Sequence, residues 1–342
     1  MNSAHVRRHP VTHVRLLCGI GILVVLVLVV CGVDVVALVA VSGAIVAGNW
    51  LVAPVVVQRI MRTRVVPNDG HGYLALPGSA QERVGRIVAR RCAAAGVSLV
   101  RLEFVDIDEP NAFTYGRSAR APRLVVTTGL VSRLSDDELD AVICHELGHI
   151  HHRDVVLLTL LSVIPALCYL AARALIDMEA GDVDGDGDGD GDDDEGGLVI
   201  LAVGFFVLYA VTEVLLLGVS RSREYDADVW ASDQMGRAEP LVSALITVTH
   251  AAEATRGAWR PASSTSMVHA LALVDPTRRD VEAASRATSE GGDRQHLVDD
   301  ADPRRWYHDL LATHPPLSLR VRALHTYEAL RHVRCVPPSG RT

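Results

Sequence analysis

Four long apolar runs dominate the pattern of hydrophobic and polar positions along the chain. A helix that crosses a bilayer needs about 20 mostly apolar residues, and each run is long enough. The first two lie within residues 16–57 and are separated by a short interruption that ends at Asp34. The others, at 155–176 and 198–219, flank a tract rich in Asp and Gly. The pattern therefore predicts two membrane hairpins.

The first apolar run has an alternative interpretation as a cleaved signal peptide, because three arginines precede it. The apolar core of a signal peptide is only about 7–15 residues long. This run is longer, and a second run follows it at once. Both features favour a membrane hairpin.

Arginines mark one side of the predicted hairpins. By the positive-inside rule this side is cytoplasmic, so both termini are expected there and residues 177–197 outside. The chain is then a multi-pass protein of the cell membrane. Arg173, near the outer end of the third run, is the exception. The flanking arginines are Arg7, Arg8, Arg15, Arg59, Arg62, Arg64, Arg153, Arg221 and Arg223.

The polar stretches between and after the hairpins predict one discontinuous soluble domain. Residues 124–128 have the composition of a strand. Ser135-Asp-Asp-Glu138 is a capping-box pattern that opens an amphipathic helix. We therefore expect an α+β domain on a bundle of four transmembrane helices, with a polar loop over residues 288–305. The predicted segments are 1–64 (first hairpin), 65–154 (soluble), 155–219 (second hairpin) and 220–342 (soluble).

Charge and cysteine content exclude some classes of function. The formal net charge of −8 comes mainly from the Asp/Gly tract, so there is no basic surface to indicate nucleic acid as a partner. The six cysteines include no C-x-x-C pair. They indicate free thiols and not a disulfide framework or a cysteine zinc site.

The predicted soluble helix carries the motif His145-Glu146-Leu-Gly-His149. Four helical steps return His149 to within about 40° of His145, so both imidazoles can bind one ion. Neutral imidazole is a preferred zinc ligand. Glu146 can then face a zinc-activated water as general base. The pattern predicts a catalytic zinc site.

Glu224 is the predicted third protein ligand, and Asp228 lies four residues later on the same helical face. Asp228 can accept the far N–H of a ligating histidine and fix its orientation. The alternative is a surface helix with local ion pairs, such as Arg223 with Asp226. The second hairpin favours the ligand interpretation, because His149 precedes it and Glu224 follows it on one face of the bilayer.

At these motifs the chain resembles the HtpX-like membrane zinc metalloproteases, in the family that includes the CAAX prenyl endopeptidases. The resemblance also covers Pro110-Asn-Ala-Phe113 with Gly116, and Thr313-His-Pro-Pro-Leu-Ser-Leu-Arg320. It implies a gluzincin-type catalytic domain and protein or peptide substrates.

The resemblance also implies residue roles. One zinc ion would bind His145, His149 and Glu224, with Glu146 as catalytic base. Asn111, Ala112 and Phe113 would form an edge where a substrate peptide adds as a strand. His314 would stabilise the oxyanion of the reaction or begin a helix, and both roles stay open.

The expected function is endoproteolysis of membrane or misfolded proteins at the cytoplasmic face. One alternative is CAAX-type processing, although four spans are few for the intramembrane chamber it would need. An intramembrane site-2 type of protease is disfavoured by the polar start of the metal helix. A non-catalytic scaffold or chaperone would not need Glu146.

The tract 184–195 matches the EF-hand expression literally. A Gly/Asp repeat satisfies that pattern trivially, and membrane runs flank it. We therefore expect a solvated loop and no calcium site there.

Overall fold

The structure is a computed structural model that describes residues 3–30, 34–75, 78–116, 121–182, 197–255, 284 and 314–335. The predicted loop 288–305 and the acidic tract 184–195 lie outside the described residues. The helices are α1 (Ser3–Val30), α2 (Val35–Met61), α3 (Ala80–Ala95), α4 (Thr128–Arg133), α5 (Asp136–His152), α6 (Asp154–Leu161), α7 (Val163–Asp182), α8 (Gly197–Met235), α9 (Glu239–Thr255) and α10 (Leu317–Cys335). The strands are β1 (Arg64–Val65), β2 (Arg101–Val105), β3 (Ala112–Gly116) and β4 (Pro122–Thr127).

Four stretches of the described helices are long and apolar enough to cross a membrane, which confirms the predicted number. They are His13–Val30, Val35–Arg59, Asp154–Met178 and Gly197–Met235. Asp34 caps the second of them, because its side chain accepts a hydrogen bond of 2.9 Å from the backbone N–H of Ala37. The third is divided into α6 and α7 near Ser162. Pro165 has no N–H to bond the carbonyl of Leu161, which explains the break.

The chain separates into two compact units, and each has its own core. The first comprises Met1–Ala53 and Leu157–Val219, and the second Pro54–Val156 and Ser220–Thr342. In the first unit, α1, α7 and α8 pack through small and aliphatic side chains, as membrane helices commonly do. The packed side chains include Val24, Leu28, Cys168, Ala171, Ala172, Leu175, Ala202 and Phe205.

The second unit is built around a four-stranded mixed sheet with strand order β1-β2-β4-β3. Strands β2 and β4 are parallel, and β3 pairs antiparallel with β4 at the edge. Alternate side chains point to opposite faces. Leu102, Leu124 and Val126 pack against α3 and α5, while Val105 and Val125 lie on the other face.

The end of α2 covers that other face of the sheet. Val57 and Met61 pack with Val105 and Val125, and Gln58 donates a 3.0 Å hydrogen bond to the buried carboxylate of Glu103. The second compact unit therefore begins at Pro54, inside α2, whereas the predicted soluble segment begins at residue 65. Hydropathy alone could not locate this boundary, because the apolar side chains at the end of α2 face protein.

The helix that carries the metal motif begins where the sequence predicts. Ser135 caps α5 by accepting a hydrogen bond from Glu138 N, and Glu138 Oε2 in turn accepts one from Ser135 N. The apolar face of α5 then packs on the sheet through Leu139, Val142, Ile143 and Leu147. Its other side faces α8 and α9. This arrangement fixes which way the histidines point.

Candidate metal centre

Helices α5 and α8 bring the three predicted ligands together. Their donor atoms all lie within 4.8 Å of one another. Gly148 permits the approach, because a Cβ there would lie 3.2 Å from Ala227 Cα and 3.3 Å from the Trp230 ring. A larger residue would separate the helix carrying His149 from the helix carrying Glu224.

The distances between the donor atoms fit a tetrahedral ion. His145 Nε2 lies 3.3 Å from His149 Nε2. Glu224 approaches the two Nε2 atoms to 3.5 Å with one oxygen each. Two nitrogens bound to one tetrahedral zinc at 2.0–2.1 Å would be about 3.4 Å apart. Glu224 Oε2 is buried and receives no hydrogen bond from the described residues, as expected of an oxygen reserved for a cation.

Each imidazole has a carboxylate at its other nitrogen. His145 Nδ1 lies 3.0 Å from Asp228 Oδ1, as the sequence predicted for one histidine. His149 Nδ1 lies 2.8 Å from Asp154 Oδ2, a contact that the sequence analysis did not predict. A carboxylate at Nδ1 holds the proton there and leaves the Nε2 lone pair for a metal.

Arg320 is the second residue that sequence reasoning missed. Its side chain is only 2 % exposed. It donates to Asp228 from Nε at 2.9 Å and from Nη2 at 2.6 Å, and its Nη1 lies 3.5 Å from Glu224 Oε2. The available signal was its position in α10, where it falls on the apolar face with Leu317 and Leu324. An arginine on such a face needs a buried acidic partner.

The electrostatics of the centre favour bound positive charge. Burial lowers the pKa of His145, but contacts with Asp228 and Glu224 outweigh it and raise the pKa to about 9. Burial also lowers the pKa of His149, and the hydrogen bond to Asp154 reverses the direction. Both imidazoles thus hold protons tightly when no metal competes. A divalent cation would satisfy the same carboxylates.

Glu146 lies beside the three candidate ligands but is not one of them. It is 3 % exposed, and burial raises the pKa of its carboxyl above the usual range. Thr114 of β3 lowers the pKa of this carboxyl slightly, against the larger effect of burial. A carboxyl with a raised pKa, close to the donor atoms, is suited to exchanging a proton.

His314 lies at the metal centre, with Nδ1 3.3 Å from Glu224 Oε1. Both ring nitrogens are buried without a hydrogen-bond partner among the described residues. Helix α10 begins at Leu317, and Pro316 O accepts its first hydrogen bonds. His314 thus lies two residues before the helix carbonyl of Pro316, and both of its predicted roles stay predictions.

The predicted substrate edge is present as β3, but its two ends differ. Ala112 and Phe113 are buried, and Asn111 N donates a 2.9 Å hydrogen bond to Thr127. Thr114 and the two residues after it instead line a groove. His149, Ile150, Arg153, Val155 and Val156 complete its lining. Asn111, Thr114 and Gly116 are half-buried, and substrate binding at this edge stays a prediction.

The fold and this centre together place the chain in the class of membrane metalloproteases. Comparison with known proteins specifies the family. The family model described as "Peptidase family M48" matches residues 79–328, so the chain belongs to that family. The resemblance to HtpX proteins is confirmed by the relatives that follow.

Two relatives and one solved structure illustrate the similarity. A protease HtpX homolog of Aeropyrum pernix is 30 % identical over 285 residues, which are 82 % of each chain. Protease HtpX of Escherichia coli strain K12 is 27 % identical over 267 residues, 77 % of this chain and 79 % of that one. The crystal structure of S. mikatae Ste24p aligns with TM-score 0.52 at 17 % identity, over 90 % of this chain and 62 % of that one, and supports the fold alone.

Proposed function

We propose that the protein is a zinc-dependent endopeptidase of the gluzincin type that cleaves membrane or misfolded proteins at the cytoplasmic face of the cell membrane. The observation that carries this proposal is the donor triangle of His145, His149 and Glu224, with the buried carboxyl of Glu146 beside it. One zinc ion per chain fits the triangle. When bound, zinc activates a water molecule and polarises the scissile carbonyl.

The residues of the chain have separate tasks in the proposed reaction. Glu146 takes a proton from the attacking water and delivers it to the leaving amine. The buried carboxyl must be basic enough to accept the proton and then release it. His314, beside Glu224, would donate a hydrogen bond to the developing oxyanion.

The substrate would bind as an added strand along β3. Strand β3 is at the edge of the sheet, so its outer backbone groups can pair with an extended peptide. The groove beside Thr114 would receive an apolar side chain of that peptide. A peptide can pair in this way only if its own backbone is not already in secondary structure. This requirement supports unfolded or misfolded segments as substrates.

The cytoplasmic orientation rests on the arginines that flank the four candidate spans. Cysteine probes at Gly187 and Ser289 test it, in a background without reactive native cysteines. A membrane-impermeant reagent added to intact cells should label position 187 and not 289. Labelling at position 289 alone would show that the orientation is opposite to the proposed one.

Proteolysis by the purified full-length protein in detergent tests the activity. An unfolded model protein should be cleaved, a chelator should stop cleavage, and added zinc should restore it. A prenylated and an unprenylated peptide of the same sequence distinguish the CAAX-type alternative, which requires the lipid. Zinc-loaded protein that cleaves none of these would support the non-catalytic scaffold.

A further inference from the structure

The contact between His149 and Asp154 is made possible by an unusual turn at the end of α5. Arg153 adopts φ 60° and ψ 37°, a left-handed conformation that is uncommon for a residue other than glycine. The turn ends α5 and starts α6 with Asp154. It directs the carboxylate back to the preceding helical turn, where Oδ2 meets His149 Nδ1 at 2.8 Å.

Arg223 holds the other oxygen of the same carboxylate. Its Nε bonds Asp154 Oδ1, and its Nη1 bonds Asp226 Oδ2 at 2.8 Å. Asp154 is 5 % exposed and Arg223 15 %, so this pair is largely removed from water. Asp226, at 32 %, is more exposed and is only 3 residues from Arg223 along α8. Asp154 therefore has each oxygen committed to a different partner.

We propose that Asp154 is the positioning residue for His149 and that Arg223 fixes the orientation of its carboxylate. This inference rests on the zinc site of the proposed function. Both groups act through His149: the carboxylate keeps the proton on Nδ1, which turns Nε2 toward the metal. Asp154 begins α6 and Arg223 belongs to α8, so the orientation of one ligand depends on the segments that lead into and out of the second membrane hairpin.

A purely structural role for Asp154 is the alternative, because an acidic residue in a first turn also stabilises a helix. The two roles have different consequences. A helix-terminus residue supports folding and leaves the affinity for metal unchanged. A positioning residue changes metal affinity and the ligand field even when the protein stays folded.

The test measures zinc affinity of the full-length protein in detergent by competition with a chromophoric chelator. Asp154→Ala should weaken zinc binding by about 10–100-fold, the usual loss when the partner of a ligating histidine is removed. Asp154→Asn should lose less, because the amide oxygen still accepts the Nδ1 proton. Arg223→Gln should also weaken binding, by less than Asp154→Ala. The visible spectrum of the cobalt-substituted Asp154→Ala protein should shift.

Asp226→Asn is the matched control, because it removes the other partner of Arg223 without touching His149. Its zinc affinity should stay within about twofold of the wild-type value. This change is far smaller than the loss expected when the partner of a ligating histidine is removed. Equal losses in Asp226→Asn and Asp154→Ala would overturn the inference, as would wild-type affinity in Asp154→Ala. If Asp154→Ala does not fold, unchanged affinity in both Asp154→Asn and Arg223→Gln would overturn it. Wild-type protein that binds no zinc would contradict the proposed function instead.

Discussion

The two histidines of the metal centre are held by the same chemical arrangement in two different surroundings. On one flank, His145, Asp228 and Arg320 are 1–2 % exposed. On the other, the side chains of His149 and Arg223 are both 15 % exposed. A buried ion pair that loses one partner leaves a charge that water cannot reach, and this penalty falls as the pair becomes more exposed. The His145 flank should therefore determine stability, and the His149 flank should chiefly tune the metal.

Substitution of Glu146, which belongs to neither flank, should have the largest effect on activity. Glu146→Gln should reduce cleavage by about 10²–10⁴-fold, because the amide cannot accept a proton from the attacking water. Zinc content should not change, since neither flank is altered. Metal analysis and a protease assay on the same preparation check both statements. Loss of zinc would mean that Glu146 supports the ligands, and normal turnover would exclude it as the base.

Arg320→Met tests the buried flank. It leaves Asp228 without its bidentate partner, and we expect a loss of about 3–5 kcal/mol, or roughly 10 °C in melting temperature. The measurement is thermal unfolding of the metal-free protein in detergent. Adding Asp228→Asn should recover part of the loss, because the orphaned charge is removed. A double variant that is as unstable as the sum of the single variants would show that the charges are not coupled.

Arg223→Gln provides the matching measurement on the more exposed flank. Removing this partner of Asp154 should cost less than Arg320→Met in the same unfolding assay, because the Arg223 side chain is 15 % exposed and that of Arg320 only 2 %. Comparable destabilisation by Arg223→Gln and Arg320→Met would abolish the proposed distinction between the flanks.

Replacing the acidic tract 184–195 with a Gly/Ser linker of equal length should have the smallest effect. In the proposed topology the tract is across a hydrocarbon layer of about 30 Å, and salt screens exposed charges within about 8–10 Å. Peptidase activity should be nearly unchanged. A several-fold fall in peptidase activity, or loss of a calcium dependence, would show that the carboxylates of this tract do affect the metal centre.

Local patterns predicted much of this molecule. Apolar runs located the four candidate spans, and the Ser135 capping box located the start of α5. The ligand set followed from helical spacing and from the resemblance. Each of these signals is contained in a short stretch of sequence, where periodicity and capping are physical constraints.

The partners that hold the ligands could not be predicted in this way. Arg223 meets Asp154 across 69 residues, and Arg320 meets Asp228 across 92. Their pairing is decided by how α8 and α10 pack in the folded unit. The assignment of Asn111, Ala112 and Phe113 to a substrate-binding edge came from the resemblance, and it stays a prediction. Ala112 and Phe113 proved to be buried in the cores on either side of the sheet.

The lack of a side chain at Gly148 affects the spacing of all three candidate metal ligands. Any side chain there would push on the backbone of α8 at Ala227, whose Cα would lie 3.2 Å from the added Cβ. The resulting shift would be a few tenths of an ångström, comparable with the roughly 0.2 Å within which metal–ligand distances must fall. The spacing of the three donor side chains is therefore set by the backbone contact between α5 and α8 at Gly148 as well as by the ligands themselves.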